Sequence, residues 1–208
     1  MTNNKVIYQG AEAQLIKDKY MDIDVVLKKR INKSYRIKQI DQNLIQQRTR
    51  EEAKLISEAR NFGVPVPIIY DVDLQKGIIT MEYIKGKRIK DIFNDLSDNE
   101  KKKICKKIGR NISYLHKNNI IHGDITTSNM ILKDEKVHMI DFGLGCKNTE
   151  IETKGVDLHV LMEAIESTHS KYSKYFKYIL EEYQKENPKE AHKVINKINE
   201  IVKRGRYR

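Results

Sequence analysis

The chain has 208 residues and a formal net charge of +11, with 39% of its residues hydrophobic and 33% charged. That length holds one sizeable core or two closely packed lobes, and the balance describes a soluble globular protein, neither disordered nor membrane-embedded. No apolar run approaches the roughly 20 residues of a membrane-spanning helix. The opening Met-Thr-Asn-Asn-Lys has no apolar stretch that reads as a secretory signal, so a cytoplasmic location without a membrane partner is expected. Cys105 and Cys146 cannot make half of a C-x-x-C metal site and are expected as reduced thiols. The excess positive charge suits a polyanionic partner such as nucleic acid, and equally a solvated lysine-rich surface.

In chain order, residues 5–9 and 13–17 read as short strands around Gly10, and 22–31 is a β-branched, alternating strand. A polar stretch follows. Ala53, Ile56 and Ala59 then give Arg48 to Arg60 a helical stripe that stops at Phe62-Gly63. Pro65 and Pro67 lead into a hairpin, with its turn at Lys76-Gly77 and its end near Ile84. Ser97 and Glu100 form a capping-box signature for a helix with Ile104, Ile108, Ile112 and Leu115 on one face. A polar loop over 119–129 precedes two short strands joined at Asp134-Glu135. Helices near 155–168, 171–186 and 188–203 close the chain, the last opened by Asn187-Pro188. The expectation is an α+β fold of two lobes, a β-rich N-lobe with one helix over 1–84, including a hinge, and a minimal α-rich C-lobe over 85–208, which the His122–Asn129 and Asp141-Phe142-Gly143 motifs make protein-kinase-like.

The chemistry lies in His122-Gly123-Asp124-Ile125-Thr126-Thr127-Ser128-Asn129, followed after the two strands by Asp141-Phe142-Gly143. This order and spacing match the catalytic loop and the metal-binding tripeptide of protein kinases. Asp124 is placed to face a substrate hydroxyl, Asn129 to turn an amide oxygen to a metal, and Asp141 to chelate Mg²⁺ bridging the phosphates of ATP. Upstream, a period of two puts Val26 and Lys28 on one face of their strand, Val26 toward an adenine pocket and Lys28 toward the phosphates. A carboxylate must orient that lysine. Glu52 shares a face with Ile56 and Ala59, Glu51 shares one with Leu55, and helix phase does not choose between them. Met81, Glu82 and Ile84 read as the hinge, with backbone groups of Glu82 and Ile84 facing the adenine edge. Gly10-Ala11-Glu12-Ala13, taken alone, reads as an ordinary turn.

With these residues in hand, the chain resembles a family of small atypical kinases, the kinase subunit of the KEOPS/EKC complex. The resemblance runs through QGAEA at 9–13, LKKRINKSYR at 27–36, the Arg48-Thr49-x-x-Glu52-Ala53 helix start, HGDITTSN, DFGLG, Lys154 to Leu158 and the basic end. It implies Glu52 as the partner of Lys28, and Gly10 to Ala13 as a shortened phosphate cover. It also implies an ATPase or kinase working with a threonylcarbamoyltransferase subunit and a further small subunit on the threonylcarbamoyladenosine modification of tRNA. Asp157 resembles the aspartate that anchors the catalytic loop. Gly123 stands where many kinases carry an arginine that reads a phosphorylated loop, and little chain separates Gly143 from Asp157 for a peptide platform. An independent serine/threonine kinase and a catalytically dead scaffold are the alternatives. Retention of Lys28, Asp124 and Asp141 speaks against the scaffold. The cationic end, Lys203, Arg204, Arg206 and Arg208 with Tyr207, is expected either as a solvated tail or as a contact to tRNA.

Overall fold

Alternating β-branched residues and short turns make the first part of the chain a meander. The computed structural model describes residues 5–10 and 12–205. Strands β1 (Lys5–Gln9), β2 (Ala13–Tyr20) and β3 (Ile23–Arg30) run antiparallel. Helix α1 (Lys38–Asn61) follows, then the hairpin β4 (Ile69–Asp73) and β5 (Ile78–Glu82). The sheet order is β1-β2-β3-β5-β4. The β2–β3 turn has only two residues, Met21 and Asp22, both at positive φ (47° and 65°), the hand that matches strand twist. Helix α1 starts ten residues before Arg48, where the sequence placed its beginning. Asp41 supports that first turn, accepting from the Lys33 N–H at 3.0 Å and the Arg36 guanidinium at 3.2 Å. Ala53, Ile79 and Met81 form a hydrophobic cluster, with Val26, Ile69 and Val72 packed on it.

Contacts divide the chain into two units, one reaching to Glu58 and taking in Pro67–Lys85, the other combining Ala59–Val66 with the chain from Gly86 on. The short piece belongs with the second because the Met139 N–H donates to the Pro65 carbonyl at 2.8 Å. That unit opens with β6 (Lys87–Arg88) and a single helical turn, α2 (Ile89–Ile92), neither signalled by any periodicity. The capping box forms as expected before α3 (Asp98–Lys117): the Glu100 N–H donates to Ser97 Oγ at 3.3 Å, and the Ser97 N–H to Glu100 Oε2 at 2.8 Å. Ile104, Ile108, Ile112 and Leu115 are all buried. Strand β7 (Ile120–Ile121) precedes the hairpin β8 (Met130–Lys133) and β9 (Lys136–Met139), turned by Asp134 and Glu135 at positive φ. Strand β6 extends this hairpin, while β10 (Cys146–Lys147) pairs with β7.

Helices α4 (Ile151–Thr168), α5 (Phe176–Glu186) and α6 (Ala191–Gly205) complete the unit. The last starts three residues later than Asn187-Pro188 suggested; the Asn187 carbonyl accepts from the Ala191 N–H at 3.0 Å across the intervening turn. Val194 and Ile198 are buried on its inner face. Among the described residues no helix is long and apolar enough to cross a membrane.

Helix α3 packs on α5 closely enough to need a residue without a side chain. A Cβ at Gly109 would lie well inside van der Waals contact of the Ile179 carbonyl oxygen on α5. Gly109→Ala should therefore destabilise the protein by about 1–3 kcal/mol, even though alanine favours helix. A urea titration monitored by circular dichroism measures this, and a midpoint equal to or above wild type contradicts the packing.

Candidate active-site residues

In the first unit the period of two along β3 puts Lys28 and Arg30 on the side that meets α1, and both are buried, at 6% and 5% exposure. Two cations in that position need an anion. Glu52, 1% exposed, supplies it: Lys28 Nζ lies 2.6 Å from Oε1, and Arg30 Nη2 lies 2.6 Å from Oε2. Glu51 is exposed, and its carboxylate accepts from the Gln47 side chain at 2.9 Å. The choice that helix phase leaves open is thus made by burial. Arg30 was not singled out in the sequence, although the same alternation that places Lys28 places it too.

The turn before β2 is closed by the Gly10 N–H donating to the Ala13 carbonyl at 2.9 Å. Glu12 is held at both levels: its carbonyl accepts from the Ile31 N–H at 3.0 Å, and its carboxylate from Arg48 Nη1 at 3.0 and 2.9 Å. Ala11, expected in the same phosphate cover, lies outside the described residues. Met81 and Ile84 are buried, and Val26 is half-buried beside Met81. The Glu82 N–H donates to the Ile68 carbonyl at 2.8 Å, so any adenine contact by Glu82 falls to its carbonyl.

In the second unit the organiser is Asp157 on α4, 2% exposed. Its Oδ2 accepts from the His122 N–H at 2.9 Å and lies 3.2 Å from His116 Nε2, while Oδ1 accepts from the Gly123 N–H at 2.9 Å. Burial alone would push this carboxyl up; the His116 hydrogen bond and the surrounding charge and donors outweigh it and hold the group below its ordinary value. His122 is fully buried, its Nε2 lying 3.1 Å from the Ile140 carbonyl and its Nδ1 accepting from the Asp124 N–H at 3.3 Å. That pattern needs the neutral ring with the proton on Nε2, and burial pushes the His122 pKa down against the nearby carboxylates. One side chain thereby links the residue before Asp141 to Asp124.

Asn129 Nδ2 donates to the Asp124 carbonyl at 3.0 Å and to Asp124 Oδ2 at 2.8 Å. Its amide oxygen then points the opposite way, as a metal ligand must. Asp141 sits at φ +65°, a conformation few residues other than glycine adopt, and its Oδ1 accepts from the Gly143 N–H at 3.2 Å. Among the described residues no three His, Cys, Asp or Glu side chains group as a metal cage. One carboxylate and one amide oxygen suit an ion that completes its shell with water and phosphate oxygens, as Mg²⁺ does.

Gly123 also has a local reason to be glycine. It sits at φ +82°, and a Cβ there would run into the Leu144 backbone. His169, not singled out in the sequence, is buried beneath the loop, with Nε2 3.0 Å from Thr127 Oγ1 and Nδ1 2.7 Å from Asn94 Oδ1. No spacing rule signals it. Lys203 and Arg204 are exposed at the end of α6, Arg204 lying 3.2 Å from Glu152 Oε1 and 3.6 Å from Glu200 Oε2. Arg206, Tyr207 and Arg208 lie outside the described residues.

A family model described as the RIO domain matches residues 14–153. The chain is 45% identical to the KEOPS complex subunit Bud32 of Pyrococcus abyssi, over 98% of this chain and 96% of that protein. The chain belongs to the Bud32 family of RIO-domain proteins. Another relative, a probable bifunctional tRNA threonylcarbamoyladenosine biosynthesis protein of Methanobrevibacter smithii, is 44% identical over 98% of this chain, which spans only 37% of that relative's length. Among solved structures, the Rio2 kinase of Chaetomium thermophilum, in a complex with ADP, Mg²⁺ and phosphoaspartate, matches 99% of this chain and 71% of its own at 15% identity. Its TM-score of 0.64 shows the shared kinase-like fold, the one expected for this Bud32-family chain.

Two outcomes follow from this geometry. Glu52→Gln leaves Lys28 and Arg30 buried without their shared charge and should cost about 3–5 kcal/mol, whereas Glu51→Gln should stay within about 0.5 kcal/mol of wild type. Equal denaturant midpoints for the two variants would contradict it. The second concerns acid. His122 and His169 both have pKa values held below the ordinary 6.5, chiefly by burial, with Lys90 adding to the effect at His169. The unfolded chain therefore takes up protons near 6.5 that the folded chain refuses. This contribution is complete above that pH and is lost as pH falls below it toward the depressed folded values. The urea midpoint should hold steady from about pH 8 to 7 and decline below about 6.5, and His169→Gln should flatten the decline.

Proposed function

We propose that this chain is a Mg-ATP-dependent atypical kinase or ATPase. Its role is to support threonylcarbamoyladenosine modification of tRNA in the cytoplasm, as a subunit of a KEOPS-type assembly alongside a threonylcarbamoyltransferase and a further small subunit. The observation that carries the catalytic part is the buried Lys28–Glu52 pair at 2.6 Å. A buried ion pair is a poor device for stability, because apolar residues of similar volume serve as well or better. Keeping it points to work for the lysine beyond folding. The assembly and tRNA parts rest on membership of the Bud32 family and on the names of its relatives.

In this reading Lys28, oriented by Glu52, contacts the α- and β-phosphates, and Gly10 to Ala13 cover them. Val26 and Met81, with the Glu82 carbonyl and the Ile84 backbone, receive the adenine. Asn129 and Asp141 hold Mg²⁺, which, when bound, neutralises charge on the phosphates. Asp124 orients the attacking hydroxyl and takes its proton. Asn129 already engages Asp124 Oδ2, so that contact falls to Oδ1. The hydroxyl belongs chiefly to water: α4 begins at Ile151, which leaves few residues after Gly143 to build a platform for a peptide. Lys203, Arg204, Arg206 and Arg208 would meet tRNA phosphates.

ATP turnover by the purified chain, alone and with its transferase partner and tRNA, tests this. Asp141→Ala should abolish Mg-dependent turnover with the fold intact. Asp124→Asn should lower turnover by about 10²–10⁴ while ATP affinity stays within a few-fold. Normal turnover in a folded Asp141→Ala protein would overturn the assignment.

A further inference from the structure

Beside the Lys28–Glu52 pair, in the first unit, lies a narrow cleft with room for about one water until the Glu12 carboxylate swings out, lined by Arg30, Lys33, Arg36 and Arg48, with Ile45 in its wall and Glu12 as its one lining acid. Four cations thus face one carboxylate. Asp41 offsets part of this from α1, accepting from Arg36 Nη1 at 3.2 Å, and Glu52 takes Arg30 Nη2. Arg30 is 5% exposed, and its Nε is buried with no hydrogen-bond partner among the described residues. A buried guanidinium N–H without an acceptor is costly, and a lining residue in that state marks where an acceptor is wanted.

Glu12 shows what kind of acceptor fits. Its side chain is half exposed, yet its carboxylate lies against Arg48 Nη1 at 2.9 Å and 3.8 Å from Arg30 Nη1. An exposed ion pair of this sort contributes at most about 1 kcal/mol, so an outside anion can displace it. Planar guanidinium groups offer paired donors that match tetrahedral oxyanions, and the apolar wall strengthens each contact by excluding water.

We propose that this cleft binds a single phosphate group, in competition with the Glu12 carboxylate. The group is either free in solution or a terminal monoester on an RNA strand; both present the same oxyanion. The site goes beyond the nucleotide reading and shares with it only Glu12.

The test uses the full ¹⁵N-labelled chain at constant ionic strength, following the arginine Nε–H signals and the backbone amides of Lys33, Arg36 and Arg48, with Gly143 as the reference for the catalytic residues. Inorganic phosphate is titrated in one arm. A 5′-phosphorylated RNA trinucleotide and its unphosphorylated form are titrated in the other. Saturable shifts at the cleft with Gly143 unmoved are expected. A response to inorganic phosphate identifies the free anion as sufficient, and a response only to the phosphorylated trinucleotide identifies the strand end. The double variant Lys33→Ala/Arg48→Ala should bind at least about tenfold more weakly, and Glu12→Gln several-fold more tightly. No shift with any probe overturns the proposal, as do affinities unchanged in both variants.

Discussion

One carboxylate, Glu52, makes the first unit possible in its present form. It is almost fully buried and accepts from two cations on a single strand, each at 2.6 Å. Moving any of the three charges out of water alone would cost several kcal/mol, and only the set together is tolerable. This couples elements far apart in sequence: β3 must lie in register for Lys28 and Arg30 to share a face, and α1 must be phased for residue 52 to meet them. The apolar cluster of Ala53, Ile79 and Met81 gives both elements their positions, and the charge triad then permits only one arrangement of them.

The second unit solves a similar problem with hydrogen bonds. Asp157 gathers two backbone N–H groups and an imidazole, and through His122 the order extends to the Asp124 N–H and the Ile140 carbonyl. The loop from His122 to Asn129 has no regular ladder to satisfy its backbone. A buried carboxylate does that work instead, which is why a loop can be held as firmly as a strand.

Much of this was legible in the sequence, for reasons that differ by element. The capping box of α3 and the β8–β9 turn are local devices, set by residues within a few positions of one another. The loop from His122 to Asn129 and Asp141 stood out as candidates because the chemistry proposed for them demands fixed residue types at fixed spacing. Glu52 over Glu51 needed either family resemblance or burial, since both occupy the same turn. The first ten residues of α1 were missed because they are mostly polar and are tied through Asp41 to Lys33 and Arg36 just upstream, contacts that no periodicity displays. Arg30 follows the same alternation as Lys28 and is legible by it, whereas nothing local signals His169, because its partners Thr127 and Asn94 lie far from it along the chain.

The glycine at 123 bears on how such a protein can change over evolutionary time. Its positive φ and the Leu144 backbone pressed against it leave no volume for a side chain. An arginine arriving there by mutation would have to push aside the segment after Asp141 before it could read a phosphorylated residue. A side chain at 123 therefore requires a matching shift of the segment after Asp141, and either change made alone strains the loop. Control by association with other proteins is open to the chain one surface substitution at a time.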